Sequence, residues 1–386
     1  MKRGPTGQYK TTVVAGETIR AFIPNPLPPE PALVLSDRRQ RLLERATVAL
    51  GRLDSVTLLL PDPNLFLYAY VRREAVLSSQ IEGTQSSLAQ LLLFEIEQAP
   101  GVPFDDVQEV SNYVAALNHG LKRLQEDFPL SNRLIREMHR ILLSQGRGSN
   151  KSPGEFRRSQ NWIGGTRPGN AQFVPPPPEY IENCMAQMER FLHDLDNPYP
   201  TLIKAALAHV QFETIHPFLD GNGRIGRLLI AFILHHDGLL SQPLLYLSLY
   251  FKQHRSEYYR LLDLVRTEGD WEAWLDFFLE GVEQIASNAV ETAKRLLLLF
   301  EKDEQNIRKL GRSSLTTMRV FRILCQHPLT TLNRICKSTG LSFPAASKGM
   351  QQLEALDIVS EITGQQRNRV FAYDQYLNIL NEGTET

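Results

Sequence analysis

The sequence predicts a mainly helical protein with one small β-hairpin near its middle and a winged helix-turn-helix module at its C-terminal end. Three observations carry that prediction. From Ser36 to Leu310 apolar residues recur at helical spacing almost throughout. The pattern breaks between Gly154 and Pro178, GEFRRSQNWIGGTRPGNAQFVPPPP, where short apolar runs around Trp162 and Phe173 flank the turn composition GGTRPGN. Residues 311–386 then give three short helical patterns followed by SEITGQQRNRVFAYD, which alternates around a glycine turn.

Taken in order, residues 1–31 contain proline and glycine, close on PNPLPPEP, and read as an extended N-terminal arm. Residues 32–127 form an N-terminal helical region. Ser36 is placed to cap RRQRLLERATVALGRL, a helix through LYAYVRREAVLSSQI stops at Gly83, and two more helices are expected near 86–98 and 105–127. Residues 128–310 form the core and its following helices. Ser131 caps NRLIREMHRILL, the hairpin of 154–178 follows, and TLIKAALAHVQFETI delivers the chain to His216. Beyond RLLIAFILHH the patterns predict one helix over SLYFKQHRSEYYRLLDLV, a second over DWEAWLDFFLEGVEQI and a third from about Ala286 to Leu310.

Composition narrows the function classes. The chain has 386 residues, enough for roughly two or three compact units. With 42 basic against 43 acidic residues, a whole-chain nucleic-acid or membrane binder is excluded and any basic surface is local. The cysteines Cys184, Cys325 and Cys336 are too few and too scattered for a disulfide framework or a zinc site. No apolar run approaches the ~18 residues of a membrane span, and the N-terminal stretch lacks the apolar segment of a signal peptide. A cytoplasmic protein with no membrane partner is expected.

The chemistry concentrates in HPFLDGNGRIGR, His216 to Arg227. Glycines let a backbone approach a phosphate, the following apolar run opens a helix whose first N–H groups are unpaired, and Arg224 and Arg227 stand one turn apart. Gly221, Gly223 and Gly226 also satisfy the dinucleotide fingerprint, but no strand precedes them. A P-loop fails because no Gly-Lys-Ser/Thr closes the run. His209, His235 and His236 show no metal-ligand spacing and read as packing or surface residues.

This string resembles the signature H-x-F-x-D/E-G-N-G-R-x-x-R of the Fic family at every fixed position, and the resemblance extends from about Leu35 to Leu310. It implies a helical Fic-like domain that transfers AMP from ATP to a Ser, Thr or Tyr hydroxyl of a target protein docked on the 154–178 hairpin as a flap. His216 is the expected base, since imidazole titrates near neutral pH. Asp220 is the expected Mg²⁺ ligand, because Mg²⁺ commonly joins one carboxylate to substrate phosphates. Gly221, Asn222 and Gly223 offer backbone N–H groups, Arg224 grips the β-phosphate side and Arg227 the γ-phosphate. Ile225 and Gly226 complete the nucleotide-lining stretch, and Phe218 anchors the loop in the core. The resemblance also points to Gln253 for the purine side.

The stretch SSQIEG resembles the family's inhibitory motif S/T-x-x-x-E-G/N through Ser78, Glu82 and Gly83. It implies that Glu82 pairs with Arg227 and withholds the fork meant for the γ-phosphate. Three readings stay open beside AMP transfer: removal of the AMP, transfer of another phosphate-containing group, and a DNA-binding regulator with a nucleotide-sensing domain. The helix placed for recognition in the winged module carries only Lys348 as a basic residue and the wing adds Arg367 and Arg369, so DNA and a protein partner are equally compatible with it, as is a homodimer.

Overall fold

The chain begins with two paired strands where the sequence suggested a loose arm. The computed structural model describes residues 3–14, 16–59, 64–97, 104–365, 367–382 and 384. β1 (Gly7–Val14) and β2 (Glu17–Pro24) form an antiparallel hairpin in unbroken register from Gly7 opposite Pro24 to Val14 opposite Glu17. Proline and glycine lie at its ends, while Ile19, Ala21 and Phe22 inside β2 are buried, which is what orders it. Arg3 ties the start of the chain down through an ion pair of 2.5 Å to buried Glu272.

The N-terminal helices are α1 (Asp37–Leu59), α2 (Asn64–Ile81), α3 (Leu88–Glu97) and α4 (Phe104–Gln125). Ser36 caps α1 as expected, its Oγ accepting the Arg39 N–H at 3.4 Å. After α5 (Asn132–Leu142), capped by Ser131 Oγ on Leu134 N–H at 3.4 Å, come α6 (Pro178–His193), α7 (Thr201–Ile215) and α8 (Asn222–His236). α7 and α8 are buried around almost their whole circumference, so they form the centre and the other helices cover them. The flap expected at 154–178 reduces to one antiparallel bridge, Ile163 opposite Phe173.

Two helix boundaries differ from the sequence pattern. The single helix expected from residue 248 splits into α9 (Ser248–Gln253) and α10 (Arg255–Glu268) at His254. Conversely, the two helices expected beyond Asp270 are one, α11 (Trp271–Arg308), since no proline or other helix-stopping signal stands between them near Ala286. α1 lies along α11, held by the two-pronged pair Arg39–Asp276 at 2.7 and 2.9 Å.

The far end of α11 carries the C-terminal module. α12 (Ser314–Gln326), β3 (Leu329–Thr331), α13 (Leu332–Thr339), α14 (Phe343–Ala355), β4 (Ser360–Glu361), β5 (Val370–Ala372) and α15 (Asp374–Asn381) follow in order, and the sheet runs β3-β5-β4, one strand more than the expected wing. The buried Tyr373 hydroxyl donates to Asp303 of α11 at 2.5 Å and fastens the module to that helix. Of the basic residues expected here, Lys348 and Arg367 are exposed, whereas Arg369 is paired with Glu354 at 3.2 Å. Among the described residues no helix is long and apolar enough to cross a membrane.

Gly120 of α4 marks where the N-terminal helices press on the centre, because a Cβ there would stand 2.5 Å from the Phe232 ring of α8 and 2.6 Å from Met138 Sδ. Gly120→Val is expected to lower unfolding free energy by about 1–3 kcal/mol in urea. Gly51→Ala, with nothing within 4 Å of the added methyl, is expected to leave stability equal or raise it by up to about 1 kcal/mol.

Candidate active site

The site is assembled at the point where α7 stops and α8 starts. His216 ends α7 in the left-handed region at φ 49°, ψ 59°, with its backbone N–H still bonded to the Phe212 carbonyl. That backbone turns the chain sharply, and Phe218, fully buried, anchors the next step by stacking on His139 of α5 at 3.7 Å. Asn222 staples the same residue from the other side. Its Oδ1 accepts the Phe218 N–H at 2.9 Å and its amide donates to the Phe218 carbonyl at 2.8 Å. Asn222 thus shapes the loop with its side chain, while its backbone N–H belongs to the open first turn of α8.

His139 fixes the loop further along. Its Nδ1 accepts the Gly154 N–H at 2.8 Å, so Nε2 carries the proton and donates to the Asp220 carbonyl at 3.0 Å. Burial pushes its pKa down to about 4, in keeping with a neutral ring. Gly221 caps α8 at φ 74°, a left-handed conformation that favours glycine.

The titratable groups have distinct states. His216 is half-buried, its Nδ1 has no hydrogen-bond partner, and its pKa is pushed down to about 3 by burial and then by the Arg157 charge. It is therefore neutral near pH 7 and able to take up a proton. One oxygen of Asp220 accepts the Gly221 N–H at 2.6 Å and meets Arg224 Nη2 at 3.2 Å, while the other accepts no hydrogen bond. Arg224 is buried and spans from Asp220 to Glu109 of α4, Nη1 donating at 3.1 Å. Burial raises the Glu109 carboxyl against the pull of Arg224 and Arg147.

Arg227 is held by the C-terminal part of α2. Nε donates to Ser78 Oγ at 2.8 Å, and Nη2 donates to the Ser78 carbonyl at 2.9 Å and to Glu82 Oε1 at 2.8 Å. Burial alone would raise the Glu82 carboxyl, but Arg227, with help from Arg224, holds it below its ordinary range. The same carboxylate lies against the start of α8. A Cβ on Gly223 would come within 2.2 Å of Glu82 Oε1, so only glycine leaves room for it. An anionic group thus already sits beside a helix N-terminus and an arginine fork.

The remaining expected residues fall elsewhere. Ile225 is wholly buried and its N–H is spent on the Gly221 carbonyl, so it packs and does not line a ligand. Gly226 clears space behind the loop, where a Cβ would meet Glu213 Oε1 at 2.4 Å. Gln253 is exposed at the last turn of α9, beside Lys252, whose ammonium reaches Gln80 of α2 at 2.9 Å. Sequence reasoning missed Glu109, His139 and Arg157, whose guanidinium donates to the His216 carbonyl at 2.9 Å. No local spacing marks them, since each meets the loop across a long stretch of chain.

The sequence pattern described as Fic/DOC family N-terminal matches residues 40–122, and that of the Fic/DOC family matches residues 129–234. Over 207 residues the chain is 33% identical to the protein adenylyltransferase Fic of Drosophila grimshawi, covering 53% of this chain and 40% of that protein. The counterpart from Drosophila ananassae is also 33% identical, over 53% of this chain and 38% of its own length. The chain therefore spans about two fifths of these curated relatives. In fold it is similar to a Fic family protein from Desulfovibrio desulfuricans G20, with TM-score 0.58 and 20% identity over 89% of this chain and 98% of that one. It is likewise similar to a segment of Fic-1 from C. elegans, with TM-score 0.52 and 24% identity over 67% of this chain and 73% of that one.

The Glu82–Arg227 pair carries a pH signature. Because the folded carboxyl is held below its ordinary value, its stabilising contribution is present above the unfolded pKa of about 4.3 and is lost as pH falls through the lower folded value. Urea unfolding at about pH 7 and about pH 3 is expected to show a larger loss on acidification for the parent than for Glu82→Gln. Equal losses would mean that the pair contributes nothing.

Proposed function

The chain belongs to the Fic/DOC family and carries that family's N-terminal region, and on that premise we propose that it transfers AMP from ATP to a hydroxyl of a target protein, restrained by its own Glu82. One observation carries the reading. The Glu82 carboxylate lies within reach of both Arg227 and the Gly223 backbone, the two features that a terminal phosphate would use.

The residues divide the work as the chemistry requires. Neutral His216 accepts the proton of the attacking hydroxyl as its oxygen bonds to the α-phosphorus. The bond from that phosphorus to the bridging oxygen breaks, and pyrophosphate leaves with the electron pair. Arg224 and Arg227 hold the β- and γ-phosphates, and the open N–H groups at the start of α8 face the anion. Asp220 fits Mg²⁺, since one oxygen accepts no hydrogen bond and the carboxylate is part-exposed at the loop. When bound, Mg²⁺ would neutralise phosphate charge beside Asp220. While Glu82 occupies Arg227, the γ-phosphate has no fork and the α-phosphate is not presented to attack.

The target side rests on the flap. Its return arm is occupied, with the Val174 carbonyl accepting the Phe22 N–H of β2 at 2.9 Å. The outgoing arm keeps Trp162 exposed and leaves one edge for an extended target segment to pair with.

Intact-mass measurement after incubation with ATP and Mg²⁺ tests the reading. Glu82→Gly is expected to gain AMP on itself or on a bait protein well above the parent level, and adding Arg227→Ala is expected to cancel the gain. Adding His216→Ala to Glu82→Gly is expected to cost roughly 10²–10⁴-fold in rate with ATP still bound. Transfer by Glu82→Gly at the parent level, with ATP bound, would overturn the restraint, and transfer undiminished by His216→Ala would overturn the mechanism.

A further inference from the structure

Arg157 is a buried cation with no carboxylate among its hydrogen-bond partners. Its acceptors are all backbone carbonyls: His216 at 2.9 Å and Ile215 at 3.5 Å on one side, Ser159 at 3.2 Å and Pro176 at 2.6 Å on the other. Its own N–H donates to the Pro217 carbonyl at 2.9 Å. Two of these carbonyls end α7, where helix carbonyls lack intrahelical partners and the dipole favours positive charge, which compensates the cation in place of an ion pair. The other two belong to the outgoing and returning arms of the flap.

We infer that Arg157 is a positioning residue that locks the base-bearing loop to both roots of the flap, so that His216 and the surface that docks the target form one rigid unit. His216 sits in a left-handed conformation, which persists only where its surroundings determine it, and the guanidinium fixes its carbonyl directly. A second strut runs beside it, the Asn161 amide of the outgoing arm donating to the Phe218 carbonyl at 3.0 Å. Gln160 crosses between the arms to the Pro175 carbonyl at 2.9 Å. An extended segment paired along the Trp162 edge would thereby be held at a fixed distance from the imidazole.

The functional half of this inference rests on the transfer reading above, so the test has two independent readouts, both in the Glu82→Gly protein. Hydrogen exchange by mass spectrometry is followed over residues 157–163, 171–178 and 212–219, with α4 and α5 as internal references. Arg157→Gln is expected to raise exchange in all three segments together and leave the references unchanged. AMP transfer is expected to fall about 100-fold, the scale of a misplaced reacting group, with the Kd for ATP within about threefold because Arg157 touches none of the phosphate grips. Arg157→Lys keeps the buried charge but cannot fork across four carbonyls, so it is expected to fold and recover only part of the rate; it carries the comparison if Arg157→Gln does not fold.

Exchange rising in the flap alone, or evenly across the whole protein, would overturn the coupling, as would full transfer by Arg157→Gln. If Glu82→Gly itself transfers no AMP, the functional reading fails, while the exchange pattern still decides whether Arg157 joins loop and flap.

Discussion

A guanidinium removed from water has to be surrounded by acceptors, and much of this site follows from how Arg227 meets that demand. α8 could supply none, because its own carbonyls are spent on the helix. The acceptors come instead from α2, as the Ser78 hydroxyl, the Ser78 carbonyl and the Glu82 carboxylate. The N-terminal helices are therefore part of the candidate site and not an accessory to it. The same logic governs Arg224, whose buried charge is met by Glu109 on α4 and Asp220 in the loop. Each of the two arginines is thus held by a carboxylate, and in the proposed transfer a substrate phosphate would have to replace or tolerate it.

The glycines of the loop, which read alike in the sequence, serve separate purposes in space. Gly221 supplies a left-handed cap, Gly223 leaves room for an anion on the inner side, and Gly226 leaves room for the buried Glu213 on the outer side. That outer carboxyl is pushed up to about 7 by burial, so near neutral pH it lies behind the arginine only partly ionised rather than as a second full counter-charge. Glu82, in contrast, is held ionised by Arg227. One firm negative charge thus sits at the inner face, beside Arg227 and the start of α8.

Legibility in the sequence tracked distance along the chain. The string from His216 to Arg227 is contiguous, and its helix start, its arginine spacing and its turn chemistry were all readable from neighbours. Ser36, Ser131 and Gly83 were readable for the same reason, each marking a helix end through a local bond or a positive φ. The partners that hold the loop were not, since Glu109 and Arg157 approach it through folding rather than spacing. The N-terminal hairpin was missed because proline and glycine crowd its ends, while the burial that stabilises β2 comes from Val174 and its neighbours in a distant segment. The continuous α11 reads as two helices meeting near Ala286, although no proline or other helix-stopping signal stands there and the helix runs through from Trp271 to Arg308.

A crystal structure of Glu82→Gly with Mg²⁺ and a non-transferable ATP analogue tests most directly whether Glu82 occupies the place of a terminal phosphate. The terminal phosphate is predicted within hydrogen-bond distance of the Arg227 guanidinium and the Gly223 N–H, at the position the carboxylate vacates, with the α-phosphorus facing His216. A nucleotide bound elsewhere, or bound with its phosphates turned away from the start of α8 while Arg227 stays on Ser78 alone, would contradict it.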